Sequence, residues 1–153
     1  DEDLGADMYQ STQDICAEMG MPAYEVSNHA RDGAQSRHNL IYWRYGDYLG
    51  LGPGAHGRVE INQVRHATET HLAPGKWLES VLSTGSGEKL SDRQSPHDQA
   101  VEYLLMSLRL TEGCDLAHLR NLDEELVYTN KILLTKKIKK IALNSTFYSS
   151  NHD

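Results

Sequence analysis

Met8, Thr12, Ile15 and Met19 recur at helical spacing with Asp, Gln and Glu around them, and this predicts a helix over residues 3–19. Gly20 and Pro22 end it. Residues 23–29, Ala-Tyr-Glu-Val-Ser-Asn-His, alternate as a short strand does, with Tyr24 and Val26 on one face. Arg31-Asp32-Gly33 reads as a turn and the chain up to Arg37 as polar loop. Alternation returns between Arg58 and Arg65, where Val59 and Ile61 share a face as in one hairpin arm. From Pro74 the period lengthens again: Trp77, Leu78, Val81 and Leu82 form an apolar stripe, and Gly85 closes the predicted helix. Ser95 then offers an N-cap, Pro96 the first helical position and Asp98 a first-turn acid; Val101, Leu104, Leu105 and Leu108 are the expected buried face. Asp115 caps a further short helix carrying Leu116, Leu119 and Leu122.

Past Lys131 the character changes. Lys131, Lys136, Lys137, Lys139 and Lys140 lie beside Leu134, Ile138 and Ile141, a basic amphipathic pattern that suits either a solvated helix face or contact with a membrane surface or partner. From Asn144 onward no core periodicity remains, and a frayed end is expected.

Composition narrows the class. A chain of 153 residues, 39% hydrophobic and 24% charged, has enough apolar material for one modest core or for the end of one domain plus a small second one. No apolar run approaches the roughly 18 residues of a membrane span. A net charge of -7 argues against a general nucleic-acid binder. The opening residues, Asp-Glu-Asp-Leu-Gly-Ala-Asp, contain neither an initiator methionine nor a signal-peptide pattern, so a cytoplasmic chain that starts within a longer protein is expected. Cys16 and Cys114 are too far apart and too few to build a zinc or iron–sulfur site by themselves, and both are expected to be reduced and half-buried.

The stretch from His38 to Gly57 holds two histidines, four aromatics and five glycines, more than a core strand or a surface loop requires. Gly52-Pro53-Gly54-Ala55-His56-Gly57 matches the Gly-x-Gly-x-x-Gly pattern of a dinucleotide turn, but strand-like alternation follows it where that motif needs a helix. Two readings stand, a tight turn at a strand end or a loop that faces a ligand. His38-Asn39-Leu40-Ile41-Tyr42-Trp43 combines an imidazole, an amide and two large aromatics between Arg37 and Arg44. Iron in a flat macrocycle with carboxylate arms would need a nitrogen ligand, stacking surface and cations; equally, His38 could be a hydrogen-bonding structural residue. His29, His56, His66, His71, His97 and His118 lack the helical i, i+4 spacing of a zincin site. Glu25 and Asp47 could orient a histidine or cap a turn. No catalytic mechanism follows from these residues alone.

Taken together, Tyr24-Glu25-Val26-Ser27-Asn28, the run from Arg37 to Gly57 and Leu108-Arg109-Leu110-Thr111-Glu112-Gly113 resemble the HemN/HemW family of radical S-adenosylmethionine proteins, over roughly residues 1–122. Its members are oxygen-independent coproporphyrinogen III oxidases or haem chaperones. The resemblance implies an α/β fold: the last units of an incomplete radical-SAM (β/α) barrel over residues 1–70, part of a mainly helical C-terminal domain over 71–122, and an atypical basic tail over 123–153. It implies that His38, in the His-Asn-x-x-Tyr-Trp block of the chaperone branch, binds haem iron, with Asn39, Tyr42 and Trp43 on the haem surface. Gly52, Gly54 and His56 would lie near the cofactor site of a full-length protein. The Cys-x-x-x-Cys-x-x-Cys motif that holds the family's [4Fe–4S] cluster is not in this sequence, so the cluster and S-adenosylmethionine are expected only in a longer protein. The implied function is haem binding and delivery by the C-terminal portion of a chaperone, with haem or porphyrin and a haem-accepting protein as partners. The alternatives are a fragment of a coproporphyrinogen oxidase and an inert structural segment.

Overall fold

The computed structural model describes residues 2–129, so the lysine-rich stretch and the frayed end expected beyond it lie outside the described residues. The fold is mixed α/β, and the chain divides into two compact units, Asp1–Cys114 and Asp115–Asp153.

The first unit opens with helix α1, Glu2–Glu18, followed by Gly20 in the left-handed region. Its predicted apolar stripe is solvent-exposed at Met8, Ile15 and Met19 as well as at Leu4. The segment 23–29 is not a strand. Ala23 pairs with His29 of the same segment and Glu25 with Leu110, each as an isolated bridge, because the Glu25 side chain draws the following backbone into a turn. Helix α2, Arg37–Trp43, starts at Ser36, whose hydroxyl accepts from the Asn39 N–H at 3.3 Å.

Strands β1, His56–Ile61, and β2, Val64–Thr70, form an antiparallel hairpin. Asn62 and Gln63 both take positive φ, which gives the turn a twist matching its strands. The alternation read from Arg58 to Arg65 therefore passes through the hairpin apex. Helix α3, Pro74–Thr84, ends as expected on left-handed Gly85 and leads into β3, Glu88–Arg93, which pairs antiparallel with β2 to give the order β1-β2-β3. Tyr48 bonds on to the outer edge of β1 through reciprocal bonds with Arg58, 2.7 and 2.9 Å long.

One sheet face, carrying Val59, Ile61, Thr68 and Thr70, looks on to Trp77 and Val81 of α3 across an open cavity of about 500 Å³. The other face carries Arg58, which reaches helix α4, Pro96–Ser107. The Ser95 cap and Pro96 start of α4 are as predicted, but its buried residues are Ala100, Tyr103 and Ser107. Leu105 is exposed. Among the buried residues, Tyr103 meets Tyr45 edge-on at 5.9 Å.

In the second unit Asp115 caps α5, Leu116–Leu122, accepting from the N–H groups of Ala117 at 2.8 Å and His118 at 3.3 Å. Helix α6, Glu124–Thr129, follows, and Leu119 and Val127 are buried. No helix among the described residues is long and apolar enough to cross a membrane. Cys16 and Cys114 form no disulfide among the described residues, and both are half-buried.

Candidate functional site

Seven residues make too short a helix to hold its own shape in water. Helix α2 is instead held at its end by the distant segment 108–113, with which segment 24–28 pairs. Val26 N–H donates to the Arg109 carbonyl at 3.0 Å and Thr111 N–H to the Tyr24 carbonyl at 3.1 Å, so these segments run side by side. From there Arg109 places its guanidinium carbon 4.3 Å from the centre of the Trp43 ring, and Glu112 grips Arg44 through two bonds of 2.8 and 2.9 Å. The three blocks that carried the family resemblance thus meet at one junction, and its effect is to fix the C-terminal end of α2.

Glu25 is the centre of that junction. Only 1% of it is exposed, and its Oε1 accepts from the Ser27 N–H at 2.8 Å, the Ser27 hydroxyl at 2.9 Å and the Asn28 amide, while Oε2 accepts from Arg109 at 3.0 Å. Burial alone would raise the pKa of this carboxyl; the donors of Ser27, Asn28 and Arg109 together outweigh it and hold it below its ordinary value. Glu112 is also held low, chiefly by its hydrogen bonds from Arg44.

His38, on the first turn of α2, is exposed. Tyr42, one turn on, shares a 3.1 Å hydrogen bond with its Nε2, and the two rings meet edge to face at 4.8 Å. Tyr48 backs Tyr42 at 4.4 Å. Asn39 and Trp43 occupy a different side of the helix, where Trp43 lies under Arg109 and its indole N–H is buried without a partner. Of the two expected cations, Arg44 is committed to Glu112, whereas Arg37 is exposed beside His38.

Below this surface the tyrosines rest on paired charges. Arg58 ion-pairs with Glu102 at 2.8 Å, and Arg65 with Asp47 at 2.7 Å while lying 3.8 Å over the Tyr45 ring. Tyr45 takes positive φ, and burial pushes its phenol up to about 12. Burial likewise raises Tyr48.

The glycine loop is a separate construction. Thr70 Oγ1 accepts from the Ala55 N–H at 2.8 Å and donates to the Gly52 carbonyl at 2.6 Å, and the Gly54 N–H donates to the His71 carbonyl at 2.9 Å. Gly52 and Gly54 take positive φ, and His56 is the exposed first residue of β1. Among the described residues no hydrogen bond or ring contact joins Gly52, Gly54 or His56 to His38. Gly52 does border the open cavity beside α3.

Sequence reasoning gave no role to Arg109, Thr70 or Tyr48. Arg109 and Tyr48 stood inside the quoted motifs, but Thr70 carried no signal, since one threonine at a strand end is ordinary. Among the described residues no three His, Cys, Asp or Glu side chains come together as a metal site.

No family model matches the chain. No solved structure matches it significantly. It is 36% identical over 92% of its length to radical S-adenosyl methionine domain-containing protein 1, mitochondrial, of Bos taurus, covering 33% of that protein. It is 34% identical over 93% of its length to the heme chaperone HemW of Synechocystis, covering 32% of it, and 37% identical over 58% of its length to that of Escherichia coli, covering 25%. The chain spans about a third or less of the length of these curated relatives.

Proposed function

We propose, on the premise that the chain is homologous to part of HemW and of radical S-adenosyl methionine domain-containing protein 1, that its first unit presents haem, with the His38 imidazole as axial ligand. The observation that carries this reading is an exposed imidazole on a helix whose far end is fixed by Arg109 and Glu112, beside the aromatic pair Tyr42 and Tyr48. An exposed ligand on a fixed support suits a cargo that must be taken up and handed on. Tyr42 would contribute ring surface to the macrocycle, and Arg37 would meet a propionate. Trp43 and Asn39 serve in this reading as support for the helix.

Delivery to an acceptor protein is part of the same proposal, as is a placement of residues 1–70 at the end of a radical-SAM barrel with 71–122 in a helical domain. Gly52, Gly54 and His56 would then border the S-adenosylmethionine site of a full-length protein, whose [4Fe–4S] cluster would be held elsewhere. A cytoplasmic location is also proposed; fractionation tests it, the more so because the cattle relative's name includes the word mitochondrial.

The test is a haem titration of this chain and of His38→Ala, followed through the Soret band in both oxidation states. A saturable, ligand-shifted band that the variant loses supports the reading. Equal behaviour of the two proteins removes it.

A further inference from the structure

The atom that would bind iron is already engaged. His38 Nε2 lies 3.1 Å from the Tyr42 hydroxyl, within a ring pair of 4.8 Å centroid separation, and Tyr42 is in turn backed by Tyr48 at 4.4 Å. If Nε2 is unprotonated, the phenol donates into the lone pair that iron needs. If Nε2 carries the proton, it donates to the phenol and has no lone pair to offer. In either tautomer the Nε2 position is closed while the bond lasts.

We propose that Tyr42 is a latch on His38: its hydroxyl competes with haem iron for Nε2, so that haem is accepted at Nε2 only when the phenol turns away and is more readily released when it returns. This rests on the haem-presenting reading above. The phenol is well placed for such a role, because it is one helical turn from His38 and half-buried, while the imidazole it holds is exposed. Tyr48 supplies an edge-to-face ring contact that favours the latched position. Tyr42 is thus a positioning residue. Its ring supports the macrocycle, and its hydroxyl sets how easily the ligand is given up.

Tyr42→Phe keeps the ring and deletes the latch. Its haem affinity should rise by roughly 2- to 10-fold, the equivalent of one net hydrogen bond. In the His38→Ala background the same substitution should change nothing. A second measurement does not depend on haem: diethyl pyrocarbonate acylates the free imidazole nitrogen, and mass spectrometry of the His38 peptide gives its rate of modification. Tyr42→Phe should be modified faster at His38 than the wild type, with His97 and His118 as internal references.

Faster modification together with tighter haem binding that requires His38 supports the latch. Unchanged modification overturns it whatever haem does. Weaker haem binding by Tyr42→Phe also overturns it, since the phenol would then be helping the ligand. Faster modification with haem binding indifferent to His38 overturns the latch as a haem device and leaves only the hydrogen bond; that outcome refutes the haem-presenting reading itself and is distinguished from the others by the His38→Ala titration.

Discussion

Glu25→Gln isolates the charge at the junction while keeping its shape. All three local bonds, from the Ser27 N–H, the Ser27 hydroxyl and the Asn28 amide, fall on Oε1, and only Arg109 uses Oε2. A glutamine with its carbonyl at the Oε1 position retains the local set and turns an NH2 group towards the Arg109 donor. The loss is one charge-assisted hydrogen bond, worth about 1.5–3 kcal/mol in general. Two effects reduce it: the Arg109 side chain is 37% exposed and can turn to water, and a neutral amide costs less to bury than a carboxylate. The expected destabilisation is therefore about 1–2 kcal/mol at neutral pH, or a melting shift of about 2–8 °C for a chain of this size. Urea unfolding followed by tryptophan fluorescence measures it. The pH dependence supplies a second check. A carboxyl whose pKa is lowered by folding stabilises the fold at pH values above its ordinary 4.5 and loses that contribution as pH falls through the folded value. The gap between wild type and variant should accordingly narrow below pH 4.5. A variant as stable as wild type at neutral pH, or a gap that stays constant into acid, would refute the account of Glu25 as the centre of the junction.

Other consequences are as direct. A Cβ on Gly57 would lie 2.5 Å from Thr68 Oγ1, 3.0 Å from the Gly50 nitrogen and 3.1 Å from the Tyr48 carbonyl. Gly57→Ala should therefore cost about 1–3 kcal/mol through overpacking, whereas Gly5→Ala, with nothing within 4 Å on α1, should stabilise by about 0.5–1 kcal/mol; thermal melts of both read the contrast. Tyr45 should ionise near 12, so an alkaline titration of tyrosinate absorbance should lose a step near 12 in Tyr45→Phe. Because folding raises that pKa, the contribution of Tyr45 is complete below the ordinary value of 10.0 and lost as pH rises through about 12. Loss of a step near the ordinary value of 10.0 instead would show that the phenol is not buried in solution.

Helices with explicit punctuation were readable in the sequence: Pro74 and Gly85 bound α3, Ser95 and Pro96 begin α4, and Asp115 begins α5. Strand β3 was not, because Glu-Lys-Leu-Ser-Asp-Arg is exposed at every position and so shows no alternation. The strand expected at 23–29 failed for a different reason. Its apparent period was that of Tyr24 and Val26, but the backbone there follows the Glu25 side chain. The stripe Val101, Leu104, Leu105, Leu108 was the most apolar on α4, yet the buried face is that of Ala100, Tyr103 and Ser107. At the candidate site, residue types pointed to His38, Tyr42 and Trp43, but their support comes from 68 residues away at Glu112 on to Arg44 and from 84 at Arg109 on to Glu25. No local pattern encodes partners at that distance.

The pairing of Val26 with Arg109 also has a topological meaning. The chain leaves this point after Val26, builds α2, the hairpin, α3, β3 and α4, and comes back to it at Arg109. Everything between is a cassette whose two ends are neighbours in space. Such a segment can be lengthened at its outer turns, as at the exposed hairpin apex Asn62-Gln63, without moving its point of attachment. The attachment itself has no such tolerance, because the residues that close the cassette also fix the helix that carries His38.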